Sequence, residues 1–502
     1  MTGYHTASAC SPTRSGTDSH LAGLGQMEEF MMTNSSFRGK PGYEGYLNFK
    51  VAALSEILSD NGYLTMMSGK WHLGLTIDTS PWARGFENTR SFSLLPGNGN
   101  HFGFEPQLGH ERPEGAIPTP FYTQDNQFVG LDDLPRPFYS TKTFTDKLLG
   151  FFKDRNPNEE RPFFAYLPFT APHWPLQAPE DIIAKYRGRY DNGPDALRAE
   201  RLEKLKKLGL IPQDVVPHPI LNVLNSKSWE NMSHEEQLVS ARAMEIYASM
   251  VDMIDQNVGR VLDYLRHTGE LDNTFILFMS DNGAEGQIME AFPTMGIDVM
   301  AVIRKYYNQT YENMGRKDSF VTYGPRWAQC ATAPSRMYKT WTTEGGIRVP
   351  CIINYAKFKQ PALHVTEEFS TCMDVLPSIL ELAGIQHPAP VFRGRDVYAP
   401  RGRSMIPHLS GLAPKIHDEE AVHGWELFGL RAIRRGDWKA VWIPRRNAQW
   451  ELYNLKTDPA EIVNLASKEK DILNTMIDHW TRYSEETGAI TFERVTNPKV
   501  KI

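Results

Sequence analysis

Cys10-Ser11-Pro12-Thr13-Arg14 brings a sulfur nucleophile, a ring-locked backbone and a permanent cation within about one helical turn. Proline lacks a backbone N–H and holds φ near its helical value, so Pro12 suits the first turn of a helix. Arg14 then follows Cys10 one turn on, with its guanidinium beside whatever the cysteine becomes. An anion held there would also face free backbone N–H groups and the positive end of the helix dipole. The spacing suits nucleophilic attack on an anionic ester. Taken alone, it equally describes a buried cysteine at a helix start with a surface arginine.

Three more sets of polar residues follow short apolar runs. The run 63–68 leads into Gly69-Lys70-Trp71-His72-Leu73-Gly74, and the run 162–168 leads into Phe169-Thr170-Ala171-Pro172-His173-Trp174-Pro175. The run 274–279 ends in Ser280-Asp281-Asn282-Gly283. Ligands of open α/β sheets bind beyond the carboxyl ends of strands. Read as buried strands, these runs deliver a cation with an imidazole, a second imidazole, and a pair of hard oxygen ligands suited to Ca²⁺ or Mg²⁺. Each set has a plainer account by itself: a snorkelling Lys70, His72 packed under Trp71, or an Asp-Asn-Gly turn.

The rest of the pattern must position these residues. At 502 residues the chain exceeds one ordinary core, which predicts a large α/β domain over 1–415 and a smaller one over 416–502. Apolar spacing predicts helices over 49–62, 143–154, 194–208, 234–268 and 373–384, and a strand over 350–354. The motif itself is expected to lack any opening strand before it. The segment 75–140, rich in Gly, Pro, Asn and aromatic residues, predicts a pocket wall, and 285–330 reads as a partly helical insertion. From about residue 420 the pattern turns to antiparallel strands, covered by a terminal helix over 467–486.

Hydrophobic content of 41% and charged content of 23% are those of a globular protein, and a net charge of −6 leaves no basic footprint for nucleic acid. No apolar run is long enough to predict a membrane span. Four cysteines (Cys10, Cys330, Cys351 and Cys372) are too few for a disulfide framework. Sequons at Asn34, Asn231 and Asn308 permit secretion, and no signal-peptide pattern opens the chain, which leaves a cytoplasmic or a secreted location open.

Together these segments resemble the type I, formylglycine-dependent sulfatases, most closely bacterial and fungal arylsulfatases. The resemblance extends over nearly the whole chain. It includes Thr343-Glu344-Gly345-Gly346-Ile347-Arg348-Val349-Pro350 and Leu452-Tyr453-Asn454-Leu455-Lys456-Thr457-Asp458-Pro459-Ala460-Glu461. It implies an alkaline-phosphatase-like fold: a large, mostly parallel sheet between helices, with a small C-terminal antiparallel sheet and one helix. It implies a formylglycine made from Cys10 by a formylglycine-generating or equivalent cysteine-oxidising enzyme. Asp281 and Asn282, with Cys10, would be ligands of one Ca²⁺, and Arg14 would hold the aldehyde hydrate. Lys70, His72, His173 and Lys339 would line the sulfate of a small sulfate-ester substrate. His173 and Lys339 would protonate the leaving oxygen, and Asp281 would accept a proton.

Two departures from the family pattern carry expectations of their own. The family's first strand, which ends in paired aspartates, would precede the motif, and no such segment precedes Cys10 here. Ser15 also meets Gly16 directly, about one helical turn short. The resemblance thus implies a sheet missing one buried strand, an incomplete metal shell, and poor turnover by residues 1–502. Two alternatives stand beside the hydrolase: an inactive, sulfatase-like anion-binding protein, and a phosphoryl hydrolase of the same superfamily. The latter would normally place Ser or Thr at position 10.

Overall fold

A computed structural model describes residues 1–490 except 17–19, 23, 25–36, 38–39, 87–89, 96–100, 106–121, 157, 224–225, 287, 289–298, 359–363 and 445–448. Parts of the expected pocket wall (96–100 and 106–121) and of the expected insertion (289–298), and the Asn34 sequon, lie outside the described residues.

The main sheet is built around β2 (Leu64–Lys70), buried at every residue, as its unbroken apolar run requires. It runs parallel to β3 (Ser91–Leu94) on one side and to β6 (Phe163–Tyr166) on the other. Antiparallel β4 (Tyr122–Gln124) and β5 (Gln127–Val129) extend the β3 side, giving the order β5-β4-β3-β2-β6. On one face, Leu64, Met66, Phe92 and Leu94 pack against Phe144, Leu148 and Phe152 of helix Ser140–Lys153 and Leu265 of helix His234–His267. On the other, Phe164 meets Ile57 and Leu58 of helix Leu54–Asp60 and Leu380 of helix Val375–Ala383. The long helix His234–His267 starts at a capping box, in which Ser233 Oγ accepts from Glu236 N and Glu236 accepts from Ser233 N. No helix among the described residues is long and apolar enough to cross a membrane.

Among the described residues the sheet does not continue past β6. β7 (Ile276–Met279) pairs antiparallel with β8 (Cys351–Asn354) as a separate two-stranded unit. Between β6 and β7 lies a cavity of about 1320 Å³, lined by both strands and by Leu54, Ile254, Val258 and Ile379 from the helices above and below. β6 and β7 were expected to be buried strands and are only half-buried, with Phe278 41% exposed. The reason is the cavity: among the described residues each has a ladder partner on one side only.

The absence of an opening strand is corrected. β1 (Tyr4–His5) pairs parallel with β9 (Ser370–Thr371), Tyr4 opposite Ser370 and His5 opposite Thr371. Two residues are too few for alternation to register in a sequence.

A short hairpin of β10 (Val391–Phe392) and β11 (Arg395–Asp396) precedes the C-terminal meander. There β12 (Val422–Leu427), β13 (Leu430–Arg435), β14 (Trp438–Trp442) and β15 (Trp450–Asn454) follow one another antiparallel. Helix Lys470–Thr487 lays Met476, Trp480 and Tyr483 on Ile433, Ala440 and Leu452. The other face carries Trp425, Ala432, Val441 and Tyr453 against Ile347. The meander thereby backs the segment that bears Lys339.

Candidate active site

Helix Cys10–Arg14 is five residues long. Thr13 Oγ1 donates back to Ala9 O at 3.0 Å, Ser15 Oγ donates to Pro12 O at 2.6 Å, and Gly16 leaves the helix at φ 62°. That left-handed stop needs glycine and ends the helix right after Arg14. Cys10 is buried and lines the cavity. Burial and Asp281 push its thiol pKa up, but Lys339, Lys70 and a hydrogen bond from His72 outweigh them and bring it down to about 6. At neutral pH it is a thiolate, the form in which cysteine reacts.

Lys70 ends β2 and is buried, with its backbone N–H bonded to Pro168 O at 2.8 Å. His72, also buried, sits at φ 63°, a left-handed turn that leads the chain off the strand toward Cys10. His173 lies between two prolines that both follow cis peptide bonds. Its Nδ1 donates to Trp174 O at 2.8 Å, which leaves Nε2 as the acceptor facing Lys339 Nζ at 2.8 Å. Lys339 is held by its own backbone N–H on Ala284 O (3.0 Å) and by Thr340 N on Ser8 O (2.7 Å), so one loop touches both the β7 end and the motif.

Arg14 lies close enough to Cys10 for each to feel the other's charge, and it also binds Asp281. Nε and Nη2 donate to Asp281 Oδ2 at 3.0 and 2.6 Å, and Nη1 donates to Lys70 O and Tyr166 Oη. Burial favours the neutral acid at Asp281, yet Arg14, Lys70 and Lys339 hold its pKa well below the usual carboxylate range. Asn282 Oδ1 is buried without a hydrogen-bond partner, as an oxygen awaiting a cation would be. Against this, Asp281 already holds a guanidinium, and no group of three or more His, Cys, Asp or Glu able to hold a metal occurs among the described residues. Two oxygens fall short of the 6–8 that Ca²⁺ takes. The described donor set does not make a Ca²⁺ site by itself. Ca²⁺ added at about 1 mM should shift the melting temperature by less than ~1 °C, since a ligand near or below its Kd adds little stability; a several-degree rise by calorimetry would contradict this.

Two side chains were missed in the sequence. Glu285 is buried, with Oε2 2.5 Å from Lys339 Nζ and 3.4 Å from His173 Nε2. His101 is fully buried with its ring 4.2 Å from that of His173, edge to face. Burial, then Lys70 and His173, keep His101 neutral. Glu285 stands only four residues past Asp281 and was readable as part of the same strand-end loop rather than as the start of an insertion. His101 lay in the Gly- and Asn-rich run that was read only as a pocket wall.

A buried ion network fixes the loop behind Lys339. Lys439 Nζ lies 2.7 Å from Glu344 Oε1 and 2.9 Å from Glu461 Oε1, while His5 Nε2 meets Glu344 Oε2 at 2.9 Å. Each of these side chains is at most 3% exposed. Lys439→Met would leave two carboxylates buried without their shared cation. We expect it to cost about 3–5 kcal/mol, read as a lower midpoint in urea unfolding; a change under about 1 kcal/mol would contradict a structural role for the network.

This arrangement, a nucleophile and cations gathered beyond strand ends of a mixed α/β sheet, defines a hydrolase-type anion site on an alkaline-phosphatase-like fold. A family profile described as Sulfatase matches residues 1–385, and one described as N-sulphoglucosamine sulphohydrolase, C-terminal, matches 336–485. The chain is 52% identical over 498 residues to an uncharacterized sulfatase of Schizosaccharomyces pombe, covering 98% of this chain and 88% of that one. It is 35% identical to an arylsulfatase of Klebsiella aerogenes, covering 77% of this chain and 79% of the other. The crystal structure of Ps i-CgsB with a neocarrahexaose superimposes with a TM-score of 0.64 at 22% identity, covering 99% of this chain and 87% of that one. The chain belongs to the type I sulfatase family, whose members are sulfuric ester hydrolases.

Proposed function

We propose that this chain hydrolyses sulfate monoesters of the aryl type through a formylglycine made from Cys10. The observation that carries this is the convergence of Lys70, His72 and Lys339 on Cys10, with His173 bonded to Lys339. A formylglycine hydrate would supply one hydroxyl to attack sulfur and a second to expel sulfate. Lys70, His72 and Lys339 surround Cys10 and can neutralise the sulfate oxygens as charge builds on them. Lys339, kept as an ammonium, can give its proton to the leaving oxygen, while the neutral Nε2 of His173 holds Nζ in place. Asp281, with Asn282, would be the chain's contribution to any Ca²⁺ there. We divide the chain into a catalytic domain, 1–415, and a supporting domain, 416–502. The oxidising enzyme that acts on Cys10 is the implied protein partner.

A second account, anion binding without turnover, draws on one observation: the described oxygens of Asp281 and Asn282 are too few for a Ca²⁺ shell. The two separate on one experiment. Protein co-expressed with a formylglycine-generating enzyme should react with an aldehyde-specific hydrazide, and peptide mapping should put the label at Cys10. An intact thiol at Cys10 in that protein, with sulfate still bound, would leave only the binder.

A further inference from the structure

Glu285 has no part in the reaction as proposed so far, yet it is the shortest ionic contact Lys339 makes among the described residues. It comes from the loop that follows β7, three residues after Asn282. Lys339 comes from a separate segment, 54 positions further on (339 − 285 = 54), and is wholly buried. His173, from the loop after β6, completes a triangle with sides of 2.5, 2.8 and 3.4 Å. Loops after two strands thus meet at an ammonium carried by a third segment, which follows helix Gly324–Ala331. A lysine carries a flexible four-carbon stem and three rotatable donors, so it does not aim itself. Two acceptors fixed by different loops leave its third N–H with a defined direction.

We propose that Glu285 is a positioning residue for the sulfate site: with His173 it fixes Lys339 Nζ so that the remaining N–H points at the sulfate and the leaving oxygen. This rests on the assignment of the site to sulfate esters. The chemistry it serves balances simply. As the S–O bond to the leaving group breaks, its electron pair goes to oxygen, the Nζ–H proton follows, and Lys339 is left as an amine until it takes a proton back from solvent.

The proposal makes a prediction whose sign is opposite to that of an idle neighbour. A carboxylate close to bound sulfate repels it, so removing the charge of an idle Glu285 should tighten sulfate binding. If Glu285 aims Lys339, Glu285→Gln should instead weaken it. We expect calorimetric titration with inorganic sulfate to show a Kd about tenfold higher for Glu285→Gln, the size of one charged hydrogen bond lost, and Glu285→Asp to recover most of it. On turnover, Glu285→Gln should slow an unactivated alkyl sulfate about tenfold more than para-nitrophenyl sulfate, whose leaving group needs no proton. Unchanged or tighter sulfate binding by Glu285→Gln would overturn the positioning role, as would failure of the wild-type protein to bind sulfate. Sulfate binding that responds as expected, in a protein whose ester hydrolysis is absent or survives Cys10→Ala, would instead overturn the functional assignment and leave the positioning intact.

Discussion

Cys10→Ala is expected to lower the hydrolysis of para-nitrophenyl sulfate by about 10⁴-fold or more, as loss of a covalent nucleophile does. The whole site is arranged about this one atom: Lys70, Lys339 and His72 each pull its pKa down toward about 6 against burial and Asp281. Cys10→Ser should be informative in a different way. A serine hydroxyl can attack sulfur, but it has no second hydroxyl with which to expel sulfate, so one turnover should end in a stable serine sulfate. The unconverted protein offers an independent check on the electrostatics. Iodoacetate, an anion drawn to Lys70 and Lys339, should alkylate Cys10 in preference to Cys351, which burial pushes up to about 12, and to Cys330, which burial also raises. The sign follows from the thiolate being the reactive form: the alkylation rate should rise with pH through a midpoint near 6 and level off above it. A midpoint near that of a free thiol would mean that the two lysines do not reach the sulfur.

Lys339→Ala should have the next largest effect, about 10³-fold on an alkyl sulfate and only about tenfold on para-nitrophenyl sulfate, a range typical for loss of a general acid. The difference comes from the leaving oxygen, which needs a proton in the first case and not in the second. Burial opposes the Lys339 ammonium, but Cys10 and Glu285 hold its pKa above the ordinary lysine value, so the proton is present at neutral pH. His173 is the less suitable donor. Its Nδ1–H is spent on Trp174 O, its Nε2 accepts from Lys339, and burial with Lys339 and Lys70 nearby keeps it neutral. Equal losses on both substrates would move the acid role away from Lys339. The variant also leaves Glu285 buried beside a neutral histidine, so its stability should fall as well; the ratio between the two substrates is unaffected by that.

Much of this was legible before any coordinates. The C-terminal ends of the runs 63–68, 162–168 and 274–279 do bring Lys70, His173 and Asp281 to one place, because strands near each other in one layer present their ends on the same side. The helix expected over 234–268 was readable from its apolar spacing, and it runs His234–His267. What could not be read was pairing between groups far apart in sequence. Arg14 is near Cys10 as its spacing suggests, but its bond to Asp281, 267 positions away, carries no local signal. Glu285 was lost because burial, not type, makes it matter, and an isolated glutamate in a loop carries no sign of burial. That β6 and β7 would both border a single large cavity depends on how the helices hold the two halves apart, which local spacing does not encode.

The central claim is that this site cleaves sulfate esters at Cys10. The most direct test compares kcat/KM for para-nitrophenyl sulfate and para-nitrophenyl phosphate, using protein co-expressed with a formylglycine-generating enzyme, and repeats both with Cys10→Ala. The account predicts that the sulfate ester is the better substrate and that its hydrolysis disappears with Cys10. Preference for the phosphate ester, or sulfate hydrolysis that persists in Cys10→Ala, would contradict it.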